Sequence, residues 1–451
     1  VTKTKILVGN TAATSGAFAV GVPFNAALKA RFSELNEAGS FRERKIELKH
    51  YDDTFSATEG LTLTKKLVED DKIFALVGYF GTPTVGATID YIKETGIPMV
   101  YAATGINALY TEKEEGNPVF SVQPIYLTEG HVMAARVLVK VDVSGPVTKV
   151  AAFYTAEDAG SSILAGIEQQ FEALGRKEQL VKFEGDPSAP DYDSIATSIK
   201  ESGAQVIIGA SNQIPFGKLM SSLAKLEVEL PVITSYVNAN VTAIPKEHLS
   251  LGRRVYANAW VDVYSEDFPA QYNKFVATID SALEVGAISA DEAAVSKGAG
   301  FAYALAGYIA AETFIAGLNA LGEEDDITWA NYIKALESKP HPLPFTNGVD
   351  FTEGKRWGID QLVLTQRVFI TKEVMPDAEA DYDGFIRLTK SAERHDVRKE
   401  LETIDMPTLI ISSKQDYLTP IEDQYYLAER MPNADHITIE NAGHASMYER
   451  L

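Results

Sequence analysis

No cysteine occurs anywhere in the chain, which excludes disulfides, cysteine nucleophiles and zinc or iron–sulfur sites built on thiolates. Basic charge is short: 41 Lys and Arg stand against 63 Asp and Glu, a formal net charge of −22. A surface of that sign repels phosphate backbones and anionic lipid, which argues against nucleic acid or a membrane surface as partner. Histidine is sparse, 7 in all, and no pair sits one helical turn apart beside a Glu, so no metal and no cofactor is expected. A phosphate loop ending in Gly-Lys-Ser/Thr is missing as well. No apolar run approaches the roughly 20 residues that span a bilayer. The Ala- and Gly-rich stretch from Gly298 to Leu321 is interrupted by Glu312 and Asn319, and is expected to be a closely packed core helix. The acidic run Glu323-Glu324-Asp325-Asp326 lacks the alternating oxygen ligands of a calcium loop and reads as solvated surface.

What is present is ordinary globular material: 451 residues, 45% hydrophobic and 23% charged, enough for two or three domains. Val1-Thr2-Lys3-Thr4-Lys5 runs straight into the strand-like Ile6-Leu7-Val8-Gly9. The first residue is not Met, so the expectation is an exported chain numbered from after a removed signal. Up to about residue 125, β-rich segments at 5–9, 45–52, 73–78 and 97–102 alternate with helical stretches at 18–38, 56–71 and 82–95. A second set has strands at 149–155, 179–184, 204–209 and 231–235, with helices near 159–174, 190–202 and 213–227. This rhythm predicts two doubly wound, Rossmann-like α/β lobes in series, each a parallel sheet with helices on both faces. A strand at 254–261, a helical region from 267 to 337 and a late strand at 361–370 follow. After Met375, the acidic stretch from Pro376 to Asp383 reads as a linker (373–383), and the tail at 384–451 carries strand, helix and strand.

Several segments carry a family resemblance. Leu7-Val8-Gly9 with Thr14-Ser15-Gly16-Ala17-Phe18, then Tyr51-Asp52-Asp53-Thr54, Ala75-Leu76-Val77-Gly78, Gly96-Ile97-Pro98-Met99-Val100, and Asp186-Pro187 with Asp191-Tyr192, follow one another in order. In these the chain resembles, over residues 1 to about 372, the type I periplasmic solute-binding proteins of branched-chain amino acid ABC importers. The resemblance implies two lobes joined by three crossings near 120–126, 245–254 and 335–348, with a ligand held in the interlobe cleft and released to a membrane permease. It implies lobe 1 at 1–122 with 254–335, lobe 2 at 123–250 with 345–372, and a periplasmic or extracellular location, membrane-anchored or free.

The residues themselves point to strand ends. Open parallel sheets bind ligands at the carboxyl ends of their strands, where loops lead into helix N-termini. Thr82 suits an N-cap and Pro83 the first turn, so Thr82 and Thr84 either simply cap a helix or, as the resemblance implies, hold a carboxylate. Ala102, Ala103 and Thr104 form a second strand-end loop, which resembles the family's other contact to carboxylate and amine. From lobe 2, Tyr154, Glu157 and Asp158, then Ser211 and Asn212, then Tyr236, are expected to face the cleft. Phe18, Tyr79, Phe80, Tyr101, Tyr154 and Tyr236 gather at these ends and read either as core or as the lining for a planar ligand. Amino-acid-binding members commonly place an acid where Tyr236 stands and a tyrosine where Ala159 stands. Either Glu157 or Asp158 supplies the missing charge, or the ligand is not an α-amino acid.

The last 50 or so residues resemble the end of an α/β-hydrolase domain. Met406-Pro407-Thr408-Leu409-Ile410-Ile411-Ser412 looks like its penultimate strand, and Asp416 and His444 (in Asn441-Ala442-Gly443-His444) stand where that family keeps its acid and His. The chain contains no Gly-x-Ser-x-Gly elbow to supply a nucleophile, so the tail is read as a truncated fragment with no catalytic residues. The expected function is capture of an amino acid or other small carboxylate by hinge closure. A ligand-sensing receptor, or a hydrolase completed by a partner chain, are the alternatives.

Overall fold

A computed structural model describes residues 1–16, 19–138, 146–239, 255–263, 265–359, 361–366, 408–413 and 421–439. Phe18, the 373–383 linker, Asp416 and His444 lie outside the described residues, as does all of the expected 245–254 crossing. The chain forms two units, Val1–Phe369 and Ile370–Leu451.

In the larger unit, β1 (Lys5–Thr11), β2 (Lys45–Tyr51), β3 (Leu76–Phe80) and β4 (Met99–Ala103) make a parallel sheet in the order β2-β1-β3-β4. Both β3 and β4 are buried along their full length, as hydrophobic runs covered on two faces must be. The helices α1 (Gly21–Glu37), α2 (Ala57–Glu69) and α3 (Thr82–Thr95) connect these strands. Ser56 caps α2 by accepting from the Glu59 N–H, and Gly96, left-handed at φ 74°, ends α3.

A separate six-stranded sheet follows, built from β5 (Val150–Thr155), β6 (Leu180–Gly185), β7 (Val206–Ala210), β8 (Val232–Thr234), β9 (Val255–Ala259) and β10 (Val363–Gln366). Its order is β10-β9-β8-β7-β5-β6, parallel throughout except for β10 on β9. The helices α4 (Tyr126–Val137), α5 (Asp158–Ala173), α6 (Asp193–Ser202) and α7 (Gln213–Lys225) pack on it. The helical region after β9 resolves into α8 (Phe268–Glu284), α9 (Ala290–Lys297), α10 (Phe301–Asn319) and α11 (Trp329–Glu337). Helix α10 is long and apolar enough to cross a membrane, but it packs against α1 and the first sheet with most of its apolar stretch buried, as a core helix does.

The two sheets give two lobes, but their boundaries differ from the sequence reading. The chain from 254 onward was expected in lobe 1. Strand β9 instead pairs with β8, so the second lobe extends to Ala259. Likewise the segment around 345–356 does not enter lobe 2: Arg356 pairs with Thr111, and Gly354 accepts from Glu114, both on the first-lobe side. The return to the second sheet comes only at β10. Pairing across some hundred residues leaves no mark on local periodicity, which is why it escaped the pattern. The first crossing, expected at 120–126, runs from Phe120, bonded to Met99 and Ala102, to the start of α4. Gly358 (φ 74°) brings the last crossing onto the first. A Cβ there would sit 2.4 Å from the Gln123 carbonyl oxygen, and the Ile359 N–H donates to the Val122 carbonyl at 2.8 Å.

In the smaller unit, β11 (Thr408–Ser413) and β12 (Ala434–Ile439) pair in parallel, and α12 (Ile421–Arg430) packs on both strands.

Candidate functional site

A cavity of about 70 Å³ opens where the strand ends of the two sheets meet. Its first-lobe wall is made by Phe55, Phe80, Gly81, Thr82 and Ala103, backed by Ala302, Tyr303 and Ala306 of α10. The second lobe contributes Asn212, Gln213, Tyr236 and Val237, and the crossings contribute Gln123, Tyr126 and Trp260.

Local chain geometry sets each of these groups. Strand β3 ends at Phe80, and Gly81 then turns the chain into α3 at φ 112°, ψ 127°, a backbone region that L side chains avoid. Gly81, rather than the expected Thr82, is therefore the N-cap of α3 and caps without a side chain. Thr82 becomes the first helical residue, and its hydroxyl is free to meet Thr104 at 2.8 Å. Thr104 also accepts from the Ile106 N–H at 3.3 Å. Burial dominates at the Tyr126 hydroxyl and raises its pKa, an effect partly offset by the nearby Thr104 and Thr82. The first N–H groups of α3 have no intrahelical partner, so this end presents donors and a positive dipole end to the cavity.

Across the cavity, Tyr236 stacks on Tyr126 with ring centroids 5.7 Å apart, and its hydroxyl donates to the Pro124 carbonyl at 3.0 Å. Behind Tyr236 lies Glu129, fully buried. Its Oε1 accepts from the Tyr236 N–H at 2.8 Å and from Asn258 Nδ2 at 3.0 Å, while Oε2 accepts from the Ser235 hydroxyl at 2.7 Å. Desolvation outweighs these bonds and pushes the Glu129 carboxyl up to about 7. The Gln213 amide donates to the Val237 carbonyl at 3.0 Å, tying two stretches of the second-lobe wall together. Gln123 Oε1 is buried and has no hydrogen-bond partner among the described residues. No described residue lining the cavity carries a charge, and no three His, Asp or Glu side chains among the described residues form a metal-binding group.

Of the residues singled out by sequence, Phe80, Thr82, Ala103, Asn212 and Tyr236 line the cavity. Others lie behind it. Tyr79 and Ala102 alternate with Phe80 and Ala103 along their strands and so belong to the opposite face, packed in the cluster under α3. Thr84 is fully buried and donates to Asp53 at 2.8 Å, and Thr104 stands behind Thr82. Tyr101 is buried, with its hydroxyl donating to the Ala306 carbonyl at 3.3 Å. Tyr154 bonds to Glu184 at 2.7 Å beside the sheet edge, which takes it out of the lining. Glu157 precedes α5 and accepts from the Asn212 N–H at 3.4 Å. Ser211 is fully buried, and its hydroxyl finds no partner among the described residues. The Asp158 side chain and Phe18 are outside the description. Sequence reasoning missed Phe55, Gln123, Tyr126, Trp260 and the α10 face. Tyr303, flanked by small residues in an Ala-rich helix, was the one visible hint of that face.

In the smaller unit, the Ser412 hydroxyl lies 2.7 Å from His436 Nε2. Ser412 is buried, which keeps it from serving as an exposed nucleophile.

Residues 5–368 match the sequence model of the family described as periplasmic binding protein, and residues 387–450 that of the TAP-like protein family. An amino acid binding protein of Pseudomonas aeruginosa is 27% identical over 175 residues, covering 39% of this chain and 45% of its own length. A protein named as carbamate hydrolase RutD of Pseudomonas syringae is 39% identical over 66 residues, 15% of this chain and 26% of its own. This chain thus spans between about a quarter and a half of the length of these curated relatives. Among solved structures, the branched-chain amino acid transporter substrate-binding protein LivJ of Streptococcus pneumoniae, in complex with isoleucine, has a similar fold. Its TM-score is 0.59 at 15% identity, over 80% of this chain and 100% of that one.

Proposed function

The chain belongs, over residues 5–368, to the periplasmic binding protein family, and from that premise we propose that it captures a small carboxylate between its lobes and passes it to the permease of an ABC importer. Capture is by hinge closure at a periplasmic or extracellular location, with no covalent step. The observation that carries this reading is the cavity between two separate sheets, walled by post-strand loops of both. The start of α3, with its unpaired N–H groups and the Thr82 hydroxyl, is the anion-gripping end. Tyr236, Asn212 and Gln213 complete the enclosure from the other lobe.

The chain is not assigned ester hydrolysis. The tail is similar to hydrolases over a fraction of their length, and the sequence holds no nucleophile elbow. Ligand that binds only the folded chain raises the melting temperature through linkage. A thermal-shift screen of small carboxylates, followed by X-ray scattering with the best of them, is expected to give a higher melting temperature and a smaller radius of gyration. A screen of several hundred acids without one stabilising compound would sink the proposal.

A further inference from the structure

We infer that this cavity discriminates against an ammonium group: its ligand is a flat, largely apolar carboxylate carrying a neutral hydrogen-bond donor, and not a zwitterionic α-amino acid. The inference rests on the reading above that the interlobe cavity is the ligand site. It goes further by naming what that site accepts.

Three observations converge. No described residue of the wall is charged, and three described carboxylates near it, Glu129, Asp53 and Glu157, are already hydrogen-bonded. Glu129 lies behind Tyr236, with both oxygens taken up by Ser235, Tyr236 and Asn258. Asp53 accepts from Thr84 and from the Phe55 N–H, and Glu157 accepts from the Asn212 N–H. An ammonium drawn into such a cavity loses its hydration and meets no charged side chain on the described wall, which weakens binding by orders of magnitude. Second, six aromatic side chains line the wall, Phe55, Phe80, Tyr126, Tyr236, Trp260 and Tyr303. Phe80 and Tyr303 meet edge to face at 6.1 Å, and Tyr126 and Tyr236 stack, an arrangement of faces and edges that suits a planar body. Third, Gln123 Oε1 is a buried acceptor without a partner among the described residues, in a side chain that lines the cavity. A buried acceptor of this kind calls for a donor, and a ligand hydroxyl or amide N–H supplies one at no cost in charge. Carboxylate at α3, ring against the aromatic wall and donor at Gln123 together describe an aromatic hydroxy acid or amide-bearing acid.

The test uses the intact chain and matched ligands that differ at one group. L-Phenylalanine, L-3-phenyllactate and 3-phenylpropionate share ring and carboxylate, and carry ammonium, hydroxyl or hydrogen at the α-carbon. Calorimetric titration is expected to show phenyllactate binding at least 100-fold tighter than phenylalanine, with phenylpropionate between them. If phenylalanine or leucine binds as tightly as its deaminated counterpart, the inference is overturned while the cavity remains a ligand site. If none of these acids binds and none of the wider screen does, the cavity reading falls, and this inference with it.

Discussion

Thr82 Oγ1 lies 2.8 Å from Thr104 Oγ1, so two neighbouring strand-end loops of the first lobe share one hydrogen bond at the floor of the cavity. Thr82→Ala removes both that bond and the hydroxyl proposed to face the ligand's anionic end. The expected loss is about 1–3 kcal/mol of binding free energy, as for a bond to a charged group. Thr82→Ser should keep most of it. Calorimetry with the tightest ligand checks both; equal affinity for Thr82→Ala and native chain removes Thr82 from the site.

Asn107 joins the lobes without touching the cavity. It follows β4, accepts from the Leu127 N–H at 2.9 Å and donates to the Ser162 carbonyl at 3.4 Å, both in the second lobe. Asn107→Ala is expected to loosen this contact between the lobes and lower apparent affinity about 5-fold, the worth of roughly 1 kcal/mol. Scattering from the ligand-free variant should give a larger radius of gyration than the native chain. Unchanged scattering and affinity would show that this contact does not hold the lobes.

Glu129 predicts a pH dependence of a definite sign. Its carboxyl is raised from an ordinary 4.5 to about 7 in the folded chain. Between these values the unfolded chain gives up a proton that the folded chain keeps. The contribution of Glu129 to stability therefore falls as pH rises from about 4.5 to about 7, by up to about 3 kcal/mol, and is level outside that window. Glu129→Gln, which keeps an acceptor oxygen, should flatten this part of the curve. Denaturant unfolding of both chains at pH 5 and pH 7.5 provides the comparison. The same slope in both would assign it to other groups.

Gly358→Ala places a methyl 2.4 Å from the Gln123 carbonyl oxygen at a φ of 74°. Strain and clash together are expected to destabilise the larger unit by about 1–3 kcal/mol. A melting temperature lowered by less than a degree would mean that the crossings move apart freely.

The fold was largely legible because a doubly wound sheet writes a repeated local signature. Strands β1 to β8 and the helices between them, except α4, fall within a few residues of where hydrophobic periodicity put them, and α3 spans the expected 82–95 although Gly81 rather than Thr82 caps it. Helix α4 was not expected from the pattern. The site was legible only where it follows directly from a strand end. Period-2 alternation was visible in Tyr79-Phe80 and Ala102-Ala103, but not which member faced the cavity, because both faces of a parallel sheet are apolar. Trp260, Gln123 and Tyr126 reach the cavity from the crossings, and Tyr303 from α10, 223 residues after the Phe80 ring it meets edge to face. No local pattern carries such placements. They depend on how β9 and β10 pair around the excursion through α8 to α11.

Tyr236 is held at both ends: its backbone N–H by Glu129 and its ring hydroxyl by the Pro124 carbonyl, one residue beyond the Gln123 carbonyl against which Gly358 is pressed. This cavity-lining side chain is thus tethered to the strap about which the halves would swing on the proposed reading. Contour and aperture become a single mechanical coordinate, so a substitution at Tyr236 should register in the rate of opening as well as in the choice of guest.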